Sequence, residues 1–239
     1  MIDGILQGAA TMDAAATRLD LAAANLANAA TPGYKRRMPV LHSFAAALAA
    51  QRAQGERGAP LVRADVARDD SPGLGERTGN PLDVLLEGDG WLAVQTDRGE
   101  RYTRAGALAV APDGTLVTRD GDPVLGEGGP LRLQPDGGPP EIDRSGVVRQ
   151  GQNELGKLRI VRFDAGARLE PEGGGRMRLA EGKPQPDPNT RVLQGHLERS
   201  NVDPVLELVD MIKALRLFEA AANTIKTQDR TLSALTRAI

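Results

Sequence analysis

The side chains that could do chemistry in this 239-residue chain are few and do not converge. Histidine occurs twice, at His42 and His196, in different segments, and neither has a second ligand at helical spacing, as a metal site would require. Ser43, Ser71, Ser145, Ser200 and Ser233 sit in no nucleophile elbow, in which glycines would flank the serine at a strand-to-helix turn. Asp69 and Asp70 are adjacent carboxylates in a turn-rich arm and read as solvated. A glycosidase would need two acids facing each other across a sugar. Aromatics, which stack on sugars, are only 3% of the chain. No Gly-rich loop opens a helix as a phosphate cradle would. Cysteine is absent, which removes disulfides, thiolate metal sites and cysteine nucleophiles. No catalytic, cofactor-binding or metal-binding residue and no cofactor is therefore expected. A non-enzyme is the expectation, with a carboxylate hydrolase as the rival class.

Charge points the same way. Thirty basic residues against 32 acidic ones give a net charge of −2, which is not the footprint of a nucleic-acid binder. Lys35-Arg36-Arg37 is the one short basic run before the central region and reads as a solvated face, with a phosphate or lipid-headgroup site as the sharper alternative. No apolar run reaches the length of a membrane-spanning helix. Asp3, Asp13 and Asp20 interrupt the N-terminal region, so a cleaved secretory leader is not expected.

The two ends of the chain carry the regular patterns. Near the C-terminus, Leu208, Met211, Leu215, Phe218, Ala222, Ile225, Leu232 and Ile239 form a seam of period 3.5, with Asp229 and Thr236 as polar interruptions. Asp203 is suited to cap the start and Pro204 to fill the first helical position, where no amide donor is needed. No Gly or Pro follows, so the helix is expected to run about 35 residues, roughly 50 Å. Near the N-terminus, Ile5, Ala9, Met12, Ala16, Leu19, Ala23 and Leu26 repeat the 3.5 period over residues 3–28. Asp3 is the expected cap, and Thr31-Pro32-Gly33 stops the helix because the residue before proline is driven out of the helical region. Small alanines all round this helix, and Val205, Val209, Ile212 and Leu235 on the C-terminal one, leave surface beyond a single pairing. Such surplus marks an interaction site.

Between the ends, the pattern changes to period 2. Most of the 28 Gly and 16 Pro lie in residues 55–190. Short apolar runs recur between turn signals such as Asp89-Gly90 and Asp113-Gly114, as in a small sandwich or barrel. Expected strands include 82–86, 91–96, 101–103, 108–110, 115–118, 123–125, 131–133, 141–142, 147–148, 158–163, 177–179 and 191–193. Residues 34–79 read as a connector arm with a short helix over Leu41, Phe44 and Leu48. The expected fold is thus α+β. Long N- and C-terminal helices pair as a coiled-coil-like domain (1–33 and 200–239), a connector spans 34–79, and a central antiparallel all-β domain spans 80–199.

Three stretches then carry a resemblance. Asn25-Leu26-Ala27-Asn28-Ala29-Ala30-Thr31-Pro32-Gly33-Tyr34-Lys35 is the first. Pro81-Leu82-Asp83-Val84, Gly90-Trp91-Leu92-Ala93-Val94-Gln95-Thr96 and Tyr102-Thr103-Arg104-Ala105-Gly106 form the second. Gly195-His196-Leu197-Glu198-Arg199-Ser200-Asn201-Val202-Asp203, with Arg216-Leu217-Phe218-Glu219 beyond it, is the third. In order and spacing they resemble the axial proteins of the bacterial flagellum, the basal-body rod and hook family. Ala29-Ala30 departs from the family wording, where a further Asn is common, and Val40 to Ser71 matches nothing in it.

The resemblance implies a structural subunit of the rod that crosses the periplasm, in its proximal part, with the distal part as the alternative. A soluble binding module dimerised by its terminal coil is the rival from another class. Implied partners are other rod proteins, copies of the same chain and the flagellar type III export apparatus, with no nucleic acid and no small-molecule substrate. The terminal helices would form the inner domain of the rod and the β region an outer one. The expected assembly interface is Ile5, Met12, Leu19, Leu26, Leu208, Met211, Leu215, Phe218, Ile225 and Leu232. The family motif residues are Asn25, Asn28, Thr31, Pro32, Gly33, Ser200, Asn201 and Asp203.

Overall fold

The computed structural model describes residues 2–40 and 65–237, with side-chain surroundings for 7–40 and 66–231. The short helix expected over Leu41, Phe44 and Leu48 lies outside the described residues. The fold is α+β: two long terminal helices and a central antiparallel β region. The chain divides into two compact units. One comprises residues 1–29, 35–70 and 202–239; the other comprises 30–34 and 71–201.

The first unit contains helix α1 (Ile2–Ala27) and helix α2 (Pro204–Arg237). α1 begins one residue before Asp3 and closes at Asn28, whose amide still donates to Ala24 O at 3.2 Å. At the start of α2, Asp203 Oδ1 accepts from the amides of Val205 (2.9 Å) and Leu206 (3.2 Å). That satisfies two donors the first turn leaves open. The strands Arg37–Val40 and Asp65–Arg68 pair antiparallel in the same unit, with Met38 opposite Ala67. Neither strand was legible, since Arg-Met-Pro-Val and Asp-Val-Ala-Arg carry no sustained alternation.

The second unit is built on a six-stranded antiparallel sheet. Its spatial order is Arg168–Gly173, Arg176–Glu181, Gly99–Thr103, Trp91–Thr96, Ile160–Arg162, Gln185–Pro186. Trp91, Leu92, Ala93 and Val94 are all buried because both faces of this strand are covered. Leu92 and Val94 join a large aliphatic core with Val84, Leu116, Val124, Val148, Leu158 and Val192. Trp91, Ala93, Tyr102 and Met177 line a smaller aromatic core, where the Phe163 ring meets Tyr102 edge-on at 4.8 Å. Burial raises the Tyr102 hydroxyl above its ordinary range, and the Glu100 carboxylate adds to this.

Several strands coincide with expectation, including Trp91–Thr96, Leu108–Val110 and Glu141–Ile142. Residues 131–133 form no strand and reach only a single bridge, Thr115 to Arg132. Asn153–Lys157 and Arg168–Gly173 are strands the pattern missed, because they are polar and largely exposed.

Candidate assembly surface

α1 and α2 run antiparallel. Asn25, near the end of α1, hydrogen-bonds Glu207 in the first turns of α2, and Gly8 lies against Ile225 and the Ala221 carbonyl farther along. Among the described side chains of α2, the least exposed are Glu207, Ala214 and Ala221, seven residues apart, with Met211, Phe218 and Ile225 half-buried alongside them. On α1 they are Gly8, Ala15 and Ala22, again seven apart, together with Leu21 and Asn25.

Both contact rows therefore sit one residue before the rows expected from apolar periodicity. A Cβ on Gly8 would stand 2.8 Å from the Ile225 side chain and 4.0 Å from the Ala221 carbonyl, so a larger residue there would displace Ile225. Small side chains settle which row turns inward: the approach is closest where Gly and Ala meet, and larger residues flank it.

The expected interface residues divide accordingly. Met12, Leu19, Leu26, Met211, Phe218 and Ile225 are half-buried beside the contact row. Leu208 and Leu215 face outward, each 46% exposed. Ile5 and Leu232 belong to the helices, but their side chains lie outside the described ones. Val205, Val209 and Ile212 are exposed beside Leu208 and Leu215, and these five share one side of α2.

A polar clasp closes the end of the helix pair. Glu207 is 2% exposed, and its carboxylate accepts from Asn25 Nδ2 at 3.2 Å and from Arg36 Nε. Arg36 also reaches Asp210 at 3.3 Å. Asn25 holds the backbone of Arg37 from both sides: its Nδ2 donates to the carbonyl (2.8 Å), and its Oδ1 accepts from the amide (2.9 Å). This overturns the reading of Lys35-Arg36-Arg37 as a solvated face. Lys35 is 5% exposed, and Arg36 is committed to two carboxylates of α2. The clasp was missed because its partners are more than 170 positions apart. The available signal was an acid, Glu207, standing amid apolar residues.

The remaining motif residues are gathered in the second unit, except Asp203, the cap of α2, and Asn28, whose Nδ2 donates to Ala24 O at 2.8 Å. Tyr34 N donates to Thr31 O, closing the turn around Pro32 and Gly33. Gly33 has φ +70°, and a Cβ there would lie 2.7 Å from the Arg104 backbone. Its amide donates to Glu198 O at 2.8 Å. The Glu198 carboxylate, 2% exposed, accepts from Gly73 N (2.9 Å) and Arg104 Nη1 (3.5 Å). Arg104 in turn lies over the Trp91 ring, 5.5 Å from its centroid. Asn201 Nδ2 donates to the Ser71 carbonyl, and Ser200 follows the last strand half-buried. The three stretches that carry the resemblance thus meet here through Gly33, Arg104 and Glu198.

Residues weighed for chemistry stay apart. His196 Nδ1 lies 3.0 Å from Gln194 O, and Asp70 pairs with Arg68. His42 lies outside the described residues. Among the described residues, no three His, Asp or Glu side chains are grouped to hold a metal.

Three family models match successive parts of the chain. Residues 5–35 match the family described as "Flagella basal body rod protein", residues 85–150 the "Flagellar hook protein FlgE/F/G D1 domain", and residues 193–238 the "Flagellar basal body rod FlgEFG protein C-terminal". The chain is 34% identical over 223 residues to flagellar basal-body rod protein FlgF of Caulobacter vibrioides, covering 92% of this chain and 91% of the relative. It is 35% identical over 223 residues to FlgF of Escherichia coli, covering 87% and 86%. It is 33% identical over 255 residues to flagellar basal-body rod protein FlgG of Agrobacterium fabrum, covering 95% of each.

Proposed function

The chain belongs to the flagellar basal-body rod family and is a structural, non-enzymatic rod subunit, and from that premise we propose that it enters the rod through the open faces of its terminal helices. One observation carries the proposal. Val205, Leu208, Val209, Ile212 and Leu215 are 67%, 46%, 42%, 53% and 46% exposed along a single side of α2. Burying such a side chain contributes roughly 1.5–3 kcal/mol, so five half-exposed ones leave on the order of 5 kcal/mol to be gained by contact. A row of this kind on a subunit marks an interface.

The unit of α1 and α2 is the part that joins the rod core, as a coiled-coil-like pair whose apolar rows serve neighbours as well as each other. The residues engaged are Ile5, Met12, Leu19, Leu26, Leu208, Met211, Leu215, Phe218, Ile225 and Leu232, with residues 80–199 of the β unit as the outer domain and 34–79 as the arm. Head-to-tail contacts repeated along an axis build an open helical structure. Self-assembly, contact with other rod proteins and delivery across the inner membrane by the type III export apparatus follow from that role. A position in the proximal rod is supported by identities of 34%, 35% and 36% to FlgF proteins, against 28–33% to FlgG proteins.

Leu215→Asp tests the proposal. The variant is expected to lose incorporation into basal bodies while its β unit melts as in the wild type. Normal incorporation would remove α2's open face from the interface.

A further inference from the structure

α2's open face has two parts. Its first half is the apolar row Val205, Leu208, Val209, Ile212 and Leu215. The same side then continues through Arg216, Glu219, Lys226 and Arg230, all exposed, three basic residues against one acid. This face lies roughly 130° round the helix from the row that packs on α1, at about 100° per residue.

α1 carries a row of opposite character. Ala9, Asp13, Ala16, Asp20, Ala23 and Ala27 follow at spacings of 4, 3, 4, 3 and 4, turned away from Gly8, Ala15 and Ala22. All but Ala16 are exposed. Asp13, Asp20, Arg216, Lys226 and Arg230 form no ion pair among the described residues.

Resting on the reading that α2's open face is an assembly face, we propose that its occupant is the outer row of α1 from a second copy of the chain. Size and charge fit in one register. An antiparallel approach that seats Val209 and Ile212 over Ala27 and Ala23 brings Arg216 to Asp20 and directs Lys226 towards Asp13. Large apolar side chains then fill the shallow spaces above alanines, and the basic half of α2 meets the acids of α1. Glu219 falls beside Ala16, one turn from Asp20 and Asp13, with Arg216 one turn before it on its own helix and directly opposite Asp20. The two rows are different surfaces of one chain, so each copy offers α2 to one neighbour and α1 to the next. Such contacts propagate instead of closing as a two-fold dimer.

The absence of cysteine makes the pairing directly readable. Ala23→Cys and Ile212→Cys variants of the full chain are mixed and oxidised under conditions where wild-type chains associate. The expected result is a cross-linked dimer in the mixture and none from either variant alone. Asp20→Arg added to the first variant is expected to abolish the link, and Arg216→Asp added to the second to restore it. Association without the mixed link, a link from Ile212→Cys alone, or indifference to charge reversal overturns the pairing and leaves the rod reading standing. Wild-type chains that stay single at every concentration also overturn the second-copy occupant. Failure to co-sediment with other rod proteins would instead count against the rod reading itself.

Discussion

Gly33 shows how one residue can join distant parts of the chain. Its φ of +70° is open to glycine at little cost, and the Arg104 backbone occupies the space a Cβ would need. Gly33→Ala is expected to destabilise the β unit by about 2 kcal/mol or more, read as a shift in its urea midpoint. Asp187 is a second such residue. Burial pushes its carboxyl up, but donors from Thr190 and Asn189 outweigh this and hold it below the ordinary 3.8. The Thr190 hydroxyl that donates to Asp187 (2.6 Å) also accepts from Gly90 N, which fixes the turn before Trp91. A depressed folded pKa contributes stability that is full above the unfolded value and is lost as pH falls through the folded one. The melting temperature of the β unit is therefore expected to hold down to about pH 4 and fall below it. Asp187→Asn should flatten that fall; an unchanged acid limb would remove Asp187 as its source.

At the scale of elements, the clasp decides how the helix ends meet the strand Arg37–Val40. Glu207 touches both Asn25 and Arg36, so removing it deletes one acceptor of each, leaving Asn25 Nδ2 on the Arg37 carbonyl and Arg36 on Asp210. Breaking a fully buried pair costs about 3–5 kcal/mol. Arg36 is 29% exposed, which lowers the expectation for Glu207→Ala to about 2–3 kcal/mol. The variant should assemble poorly while the β unit keeps its melting temperature; wild-type assembly would show the clasp to be dispensable. The bounds of α1 and the start of α2 were legible to within a residue, since Asp203, Pro204 and Thr31-Pro32 act locally, although Asp3 lies inside α1 and does not cap it. The inward row was not. Apolar periodicity selected the larger side chains, whereas close approach selected Gly8, Ala15, Ala22, Ala214 and Ala221.

For the whole molecule, the two units rest on different supports. The β unit has two apolar cores of its own. The helices have a narrow contact of small residues and a wide open face, and long helices depend on tertiary packing for most of their stability. In the free subunit the terminal helices are expected to be cleaved first in limited proteolysis, leaving the β unit intact. Assembly should protect them. Equal resistance of ends and centre before assembly would contradict this division.

The amino-acid sequence by itself determined the class of fold, the two long helices and most central strands, because periods of 3.5 and 2, caps and turn residues are properties of neighbouring positions. It also carried the family, through motifs in fixed order. Only the tertiary structure decided which helix row faces inward, which charges are buried, and how the three motif stretches converge on Gly33, Arg104 and Glu198. Those outcomes depend on the distance between backbones and on pairs such as Asn25 with Glu207, whose separation along the chain leaves no local trace.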